Sequence, residues 1–168
     1  MQKVGIFYGS SEGNTEGVAK KIQKELGVDN VQIFDVAKAD ASELDGFQNL
    51  MFGVSTLSIG ELQDDFEDFF PKLKSADLTG KTIALFGCGD QYSYPDSFMD
   101  AIGIVYLALK DKGCKLIGKT STEGYDYDES VAEIDGEFVG LAIDEDNESN
   151  LTDERVKNWV EQIKNELT

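Results

Sequence analysis

Short apolar runs alternate along the chain with longer segments in which apolar residues recur at helical spacing. The apolar runs predict strands at residues 3–8, 31–34, 49–54, 82–86 and 115–118, the last of which resumes at 138–143. The helical spacing predicts helices at about residues 14–26, 63–74, 98–112 and 152–166. Because the strands are almost continuously apolar, they are expected to form a parallel sheet that helices cover on both faces.

The alternation continues through the sequence without a Pro-rich or Gly/Ser-rich linker and without an internal repeat. The chain has 168 residues, of which 40% are apolar. This length is sufficient for one domain with a substantial core and too short for two ordinary domains. We therefore expect a single α/β domain over residues 1–168.

Three loops follow predicted strands: residues 9–15, 55–60 and 87–98. In open parallel sheets, ligands bind outside the carboxyl ends of the strands, where the connections diverge. We therefore expect the three loops to meet and to form the ligand site.

The first of these loops, Gly9-Ser10-Ser11-Glu12-Gly13-Asn14-Thr15, is rich in hydroxyl groups and glycines and precedes a predicted helix. Free backbone N–H groups at a helix N-terminus favour anions. The loop contains no Lys or Arg and no Gly-Lys-Ser/Thr ending, so it does not match the P-loop that binds a triphosphate with magnesium. It predicts a site for one phosphate group without a metal. Taken alone, the same residues are also typical of an ordinary helix cap.

The other two loops combine apolar or aromatic side chains with polar groups. The second, Ser55-Thr56-Leu57-Ser58-Ile59-Gly60, places two apolar side chains between hydroxyl groups. The third contains glycines that let a ligand approach the backbone, and the aromatic residues Tyr92 and Tyr94. A phosphate cradle, an apolar wall and an aromatic face at one edge are typical of a site for a flat, mononucleotide-like molecule.

The composition is strongly acidic, with 33 Asp and Glu against 15 Lys and Arg and a formal net charge of -18. Such a charge repels nucleic acids and anionic membranes and attracts basic protein surfaces. The longest apolar stretch, residues 101–109, is too short to span a membrane, and a strand begins too early for a secretion signal, so a cytoplasmic location is expected. Cys88 and Cys114 are isolated and the chain has no His, so we expect reduced thiols and no metal site.

With these loops in place, the whole chain resembles a flavodoxin of the long-chain type. The motifs that carry the resemblance are Ser10, Gly13 and Thr15 followed by Ala19 and Ile22; Thr56–Gly60; Gly89-Asp90-Gln91 followed by Tyr94-Pro95; and residues 140–147 followed by 151–155. Residues of about 119–137, which interrupt the last strand, are similar to the insertion of long-chain members. The resemblance implies a doubly wound, five-stranded parallel sheet in the order 2-1-3-4-5, for which flavodoxins are themselves the type example.

The resemblance further implies a low-potential one-electron carrier that holds FMN without covalent attachment. The cofactor-binding residues it implies are Ser10, Ser11, Glu12, Gly13, Asn14, Thr15, Ser55, Thr56, Leu57, Ser58, Ile59, Gly60, Cys88, Gly89, Asp90, Tyr94, Phe98 and Asp146. Residues 10–15 would hold the phosphate, and Tyr94 and Leu57 would cover the outer and inner faces of the flavin ring.

By the same resemblance, Gly89 and Asp90 would meet the polar edge of the ring through their backbones, and Asp146 would approach the ribityl chain. Taken alone, Leu57 is more typical of core packing and Cys88 of a small buried filler. Long-chain relatives often have a tryptophan at the position of Leu57, so weaker stacking is expected on that face.

The resemblance also implies redox partner proteins, such as a flavin-containing NADP reductase or a pyruvate oxidoreductase, that dock through basic surfaces onto a monomer. An FMN-dependent NAD(P)H:quinone oxidoreductase on the same fold is the alternative function. A response-regulator receiver shares the architecture, but it requires an acidic pair after the first strand and an Asp at the end of the third. Here those positions read Tyr8-Gly9-Ser10 and Val54-Ser55-Thr56, so this class finds no support.

Overall fold

A computed structural model describes all 168 residues, and a mostly parallel sheet forms its centre. The strands are β1 (Val4–Gly9), β2 (Val31–Asp35), β3 (Asn49–Leu57), β4 (Glu61–Leu62), β5 (Thr82–Cys88), β6 (Lys115–Ile117), β7 (Thr120–Ser121), β8 (Glu133–Ile134), β9 (Glu137–Phe138) and β10 (Leu141–Ile143). The order across the central sheet is β2-β1-β3-β5, with β6 and β10 both paired to the outer edge of β5. This confirms the predicted order, in which β6 and β10 together are the fifth strand.

The helices cover the sheet on both sides; three of them connect strands, and two follow the last strand. They are α1 (Asn14–Leu26), α2 (Asp64–Ser75), α3 (Asp100–Leu109), α4 (Glu145–Glu148) and α5 (Thr152–Ile163), with short 3₁₀ helices at Val28–Asn30, Ala41–Gly46 and Ser149–Leu151. No helix has the length and apolar content needed to cross a membrane. The third helix begins later than predicted, because Met99 adopts a left-handed backbone conformation with φ 63° directly before it.

The two faces of the sheet bury separate apolar clusters. On one face, Ile6 packs with Ile22 of α1 and Trp159 of α5. On the other face, the next residue, Phe7, packs in the cluster that includes Phe66 and Phe69 of α2. Successive side chains of a strand point to opposite faces, so a continuously apolar strand fills both clusters. The predicted doubly wound arrangement follows directly from this pattern.

The last strand of the sheet is split. Strand β6 pairs with the first half of β5, and β10 pairs with its second half. Between them, β7, β9 and β8 form a small antiparallel sheet. The predicted interruption is therefore present, but the predicted resumption of the strand at residue 138 is wrong. Phe138 belongs to β9, where it pairs with Thr120 and Glu133, and the central strand resumes at Leu141.

An aromatic cluster attaches the inserted segment to the domain. Phe98 lies 5.7 Å from Tyr125, 5.5 Å from Tyr127 and 5.8 Å from Phe138, measured between ring centroids. Aromatic pairs at these distances are worth about 0.5–1.5 kcal/mol each beyond their buried area. The insertion therefore packs against the segment just before α3.

The third strand extends further than predicted. The sequence predicts a loop from residue 55, but β3 continues to Leu57 because β4 folds back and pairs with it antiparallel, with Thr56 opposite Leu62 and Leu57 opposite Glu61. Only Ser58, Ile59 and Gly60 remain in the turn between the two strands. The added pairing fixes the position of Leu57 at the sheet edge.

A substitution in β3 tests the close packing of the sheet. A methyl group at Gly53 would lie 2.2 Å from Cζ of Phe86, whose ring is fully buried. We expect Gly53→Ala to lower the free energy of unfolding by about 1–3 kcal/mol, because the ring cannot move without disturbing its neighbours. Chemical denaturation followed by Trp159 fluorescence measures the change.

Gly17→Ala is the matched control, since Gly17 lies in α1 and a methyl group there meets nothing within 4 Å. This variant should be more stable than the wild type by roughly 0.5–1 kcal/mol, because Ala favours a helix more than Gly does. Equal effects of the two substitutions would contradict the packing described for Gly53.

Candidate functional site

A cavity of about 510 Å³ opens at the carboxyl edge of β1, β3 and β5. Its wall consists of Ser10, Ser11, Glu12, Asn14, Ser55, Thr56, Leu57, Ser58, Asp64, Cys88, Gly89, Asp90, Tyr94 and Asp146. The three loops predicted to meet do meet there. The volume lies within the range of about 300–1,000 Å³ that is usual for small-molecule and cofactor sites.

At one end of the cavity, backbone N–H groups point outward without protein acceptors. The amide groups of Ser11 and Glu12 donate to no protein atom, and the first turn of α1, which begins at Asn14, has no intrahelical acceptors for its amides. Ser10 shapes the turn by accepting a hydrogen bond from the amide of Gly13 at 3.0 Å. Gly13 adopts φ 90°, a conformation that favours glycine. Unpaired amides at the N-terminus of a helix are a geometry that favours an anion.

A buried glutamine that sequence analysis did not single out supports this loop. The Nε2 atom of Gln63 donates to Oγ of Ser11 at 2.9 Å, and its Oε1 accepts the amide of Phe66 at the start of α2 at 3.0 Å. A methyl group at Gly9 would lie 2.2 Å from that Oε1, so only glycine fits the end of β1 here. Gln is not among the usual N-cap residues, so the sequence carries no clear signal for this role.

The floor of the cavity joins the first two loops. The hydroxyl of Thr15, which is fully buried, lies 2.5 Å from the hydroxyl of Ser55. The thiol of Cys88 lies in the wall beside them, and burial raises its pKa to about 12. Cys88 therefore contributes a neutral, protonated thiol to the cavity at physiological pH.

The second loop places Leu57 in the wall and Ile59 outside it. The hydroxyl of Thr56 accepts the amide of Ala101 at 3.0 Å, which ties the end of β3 to the start of α3. Ser58 adopts φ 43°, and Ile59 is 81% exposed. Tyr94 of the third loop also lines the cavity and is 42% exposed.

The third loop is ordered by the side chain of Asp90. Its carboxylate accepts the amides of Tyr92 and Ser93 at 3.2 and 2.9 Å and the Nδ2 of Asn147 at 2.8 Å. Burial alone would raise the pKa of Asp90, but these hydrogen bonds outweigh it, so the pKa is lowered and the carboxyl stays ionised. The amide of Gly89 is occupied by the carbonyl of Ile143 at 3.0 Å. The amide of Asp90 donates to no protein atom, so of Gly89 and Asp90 only Asp90 has a free N–H donor.

Carboxylates surround the cavity, and its wall contains no Lys or Arg. Burial raises the pKa of Asp146, and the negative charges of Asp90, Asp144, Glu12 and Glu145 raise it further. Asp64 at the start of α2 also lies in the wall, although it was not among the residues implied by the resemblance. An anion in this cavity must therefore be held by neutral donors within a negative field.

Five of the residues that the resemblance implied lie outside the cavity wall: Gly13, Thr15, Ile59, Gly60 and Phe98. Gly13, Thr15 and Gly60 support the loops that form the wall, and Ile59 faces solvent. The expected contact of Phe98 with the ligand is not supported, because its side chain is 1% exposed and packs with the aromatic cluster of the insertion. The remaining implied residues line the cavity.

Comparison with known proteins agrees with this architecture. The family model described as flavodoxin matches residues 6–159. The chain is 48% identical over 166 residues to a flavodoxin from Nostoc, which covers 99% of this chain and 98% of the relative. The chain belongs to the flavodoxin family. A flavodoxin of Haemophilus influenzae is 47% identical over 168 residues, which covers 99% of this chain and 97% of the relative.

The fold also matches that of a solved flavodoxin structure. The crystal structure of a Fusobacterium nucleatum flavodoxin, bound to flavin mononucleotide, matches all of this chain and all of its own with a TM-score of 0.95 and 36% identity. The recognition of the family and the predicted fold class are therefore both confirmed. The insertion between β6 and β10 and the length of 168 residues are consistent with the long-chain type.

The raised pKa of Asp146 gives a testable dependence of stability on pH. Since the folded protein binds this proton more readily than the unfolded chain does, ionised Asp146 destabilises the fold above its folded-state pKa. Below the unfolded value of about 3.9, the carboxyl is protonated in both states and the penalty vanishes. We expect Asp146→Asn to stabilise the apoprotein in urea unfolding at about pH 7 and to have no effect at about pH 3.

Asp153→Asn provides a control of opposite sign. A hydrogen bond from Lys21 and its positive charge lower the pKa of Asp153, so its ionised form stabilises the fold. This variant should be less stable than the wild type at neutral pH, and the loss should shrink as the pH falls through the folded-state pKa. A stabilising effect of both substitutions at neutral pH would contradict the local electrostatics described here.

Proposed function

We propose that the chain carries single electrons on one FMN that it binds without covalent attachment in the cavity at the carboxyl edge of the sheet. Membership of the flavodoxin family confirms the predicted class of function, an FMN electron carrier, over an enzyme such as a quinone oxidoreductase. The observation that carries the placement is the set of unpaired amides at Ser11, Glu12 and the start of α1. Bound FMN supplies the redox chemistry, and the chain positions it and sets the surrounding charge.

The phosphate end of the site fits the first loop. Ser10, Ser11 and Glu12 line the cavity and offer two hydroxyls and two unpaired amides, and the wall contains no Lys or Arg. Hydrogen bonds to a charged group contribute about 1.5–3 kcal/mol each, whereas the helix N-terminus adds about 0.3–1 kcal/mol. Individual hydrogen bonds would therefore outweigh the helix dipole in holding the phosphate.

The ring end of the site fits the other two loops. Leu57 and Tyr94 form apolar and aromatic walls, so a flat ring would lie between them. The amide of Asp90 and the carbonyl of Gly89 have no hydrogen-bond partner in the protein. The amide would donate to the polar edge of the ring, and the carbonyl would accept a hydrogen bond from the same edge. Asp146 would lie near the ribityl chain, which joins the ring of FMN to its phosphate. Gly13 would support the loop, because its amide already donates to Ser10, whereas Thr15 would contribute its unpaired backbone amide rather than its buried hydroxyl.

The carboxylates in and beside the wall would lower the reduction potential of the ring. One fixed negative charge about 10 Å from the ring, at an effective dielectric near 20, opposes an added electron by roughly 1.7 kcal/mol. For a one-electron step this corresponds to about 70 mV before salt screening. Asp64, Asp90 and Asp146 in the wall, together with Glu12, place several such charges near the ring. A low-potential carrier is the consequence.

Flavodoxins exchange electrons with redox partner proteins, and the net charge of -18 favours partners with basic surfaces. A flavin-containing NADP reductase and a pyruvate oxidoreductase are the proposed kinds of partner. Tyr94 is exposed and lines the cavity, and the exposed Ile59 directly follows Ser58 of its wall, so a partner would approach the ring on this side. The proposal places the carrier in the cytoplasm, as a monomer made of one domain.

Comparing FMN with riboflavin tests where the phosphate binds. We expect riboflavin to bind roughly 10²–10⁴-fold more weakly than FMN, because it loses at least two hydrogen bonds from residues 10–14 to a charged group. Titration of the apoprotein with each flavin, followed by quenching of flavin fluorescence, gives both dissociation constants. Equal affinities would show that the phosphate does not occupy the first loop.

The same purified protein distinguishes a carrier from an enzyme. Incubated with NADPH and a quinone but without a reductase, the FMN-loaded protein should not oxidise NADPH at a rate above the background. Rapid turnover under these conditions would support the quinone oxidoreductase instead. Addition of a flavin-containing NADP reductase should start reduction of the FMN-loaded protein, which visible absorbance records.

The acidic surface predicts how association with a basic partner depends on salt. We expect the second-order rate of reduction by the reductase to fall as ionic strength rises, because exposed charges separated by more than about 10 Å are screened at 0.1 M salt. Stopped-flow absorbance over a series of salt concentrations measures this rate. A rate that does not change with salt would remove electrostatic steering from the proposed function.

A further inference from the structure

Gln91 connects the third loop of the site to two other parts of the chain. Its side chain is 1% exposed. Its backbone amide and its Nε2 both donate to Oδ2 of Asp144, at 3.2 and 2.8 Å, and Nε2 also donates to Oε1 of Glu148 at 2.6 Å. Its Oε1 accepts the amide of Asp126 at 2.6 Å. Every polar atom of this buried side chain is therefore used, and its partners come from the segment after β10 and from the insertion.

Asp144 extends this network back to the cavity wall. Asp144 is fully buried, and its carboxylate also accepts the backbone amide of Asn147 at 3.1 Å and the Nδ2 of the same residue at 2.9 Å. That Nδ2 lies 2.8 Å from the carboxylate of Asp90 in the wall. Gln91, Asp144, Asn147 and Asp90 thus form a connected set of hydrogen bonds beneath the third loop.

The insertion contacts the third loop at two points on either side of Tyr94. The first is the hydrogen bond from the amide of Asp126 to Gln91. The second is the carbonyl of Pro95, which accepts the amides of Asp128 and Glu129 at 2.8 and 3.0 Å. The backbone that carries Tyr94 is therefore held between two attachments to the same inserted segment. Nothing in the cavity wall itself belongs to the insertion.

We propose that Gln91 is a positioning residue, through which the insertion holds the third loop in the conformation that binds the flavin ring. The proposal rests on the proposed function, since it assigns the ring to the wall formed by Gly89, Asp90 and Tyr94. The only protein donor to Oε1 of Gln91 is the amide of Asp126 in the insertion, so a shift of the third loop away from that amide would leave a buried acceptor unsatisfied. An unsatisfied buried acceptor is costly, so this hydrogen bond favours the loop conformation of the structure. The insertion therefore acts on the cofactor without touching it.

A substitution of similar size isolates the hydrogen bonds of Gln91. Gln91→Met keeps the length of the side chain and removes the Nε2 and Oε1 bonds. We expect it to weaken both FMN and riboflavin by about tenfold, because the amides that bind the phosphate belong to the first loop and are unchanged. The ratio of the two dissociation constants should therefore equal that of the wild type. A loss of FMN affinity much larger than the loss of riboflavin affinity would overturn the assignment to the ring end.

Gln23→Met is the matched control. Gln23 is half-buried, and its Nε2 donates one hydrogen bond to the carbonyl of Val31 at 3.0 Å, so the same side-chain replacement is made at a residue outside the cavity wall. Its flavin affinities should equal those of the wild type. If the wild type itself failed to bind FMN, the proposed function would fail. If the wild type bound FMN and Gln91→Met bound both flavins with unchanged affinity, only the positioning role would be overturned.

Hydrogen exchange of the apoprotein tests the link to the insertion without any flavin. The amide of Asp126 should be protected in the wild type and should exchange at least tenfold faster in Gln91→Met, as measured by two-dimensional NMR. Gln91→Glu is a second variant, which keeps an acceptor for Asp126 and replaces Nε2 with a carboxyl oxygen beside the carboxylates of Asp144 and Glu148. It should retain protection of Asp126 and still bind both flavins more weakly. An unprotected Asp126 amide in the wild type would contradict the proposal, whichever variants fold.

Discussion

The site depends on one constraint: a phosphate must be bound where the protein is strongly negative. The net charge is -18, and the cavity wall contains carboxylates but neither Lys nor Arg. Neutral N–H and hydroxyl groups can satisfy an anion without cancelling the surrounding field. The unpaired amides after β1 and at the start of α1 supply such donors. The cofactor can then be held firmly while the charges near its ring still disfavour an added electron.

Those donors are useful only because buried polar side chains hold the loops in place. Gln63 donates a hydrogen bond to Ser11, and the hydroxyls of Thr15 and Ser55 join the first two loops. Gln91 anchors the third loop to Asp144. A buried polar group without a partner costs about 1–3 kcal/mol, so each of these side chains strongly favours one loop conformation. The sheet brings the loops to one edge, and the hydrogen bonds beneath them set their exact relation.

The inserted segment belongs to the same support. Its aromatic residues pack on Phe98, and its backbone amides reach Gln91 and Pro95. It therefore contributes to the position of the third loop, although none of its side chains lies in the cavity wall. After the insertion, β10 pairs with the second half of β5 at the outer edge of the sheet, and the acidic turn that follows it places Asp146 in the cavity wall.

The sequence by itself determined the main strands and helices and the loops that form the site, because these depend on local patterns. The order of the strands followed from the family resemblance carried by motifs such as residues 10–15, whereas β4 and the small antiparallel sheet of the insertion were not predicted. The sequence did not reveal that Phe98 faces the insertion, that the amide of Gly89 is already paired, or that Gln63 and Gln91 support the loops. These depend on partners between 27 and 54 residues away, such as Tyr125 for Phe98, Asp144 for Gln91 and Ser11 for Gln63. Only the tertiary structure decides them, because burial turns an ordinary amide side chain into one that must find every partner it needs.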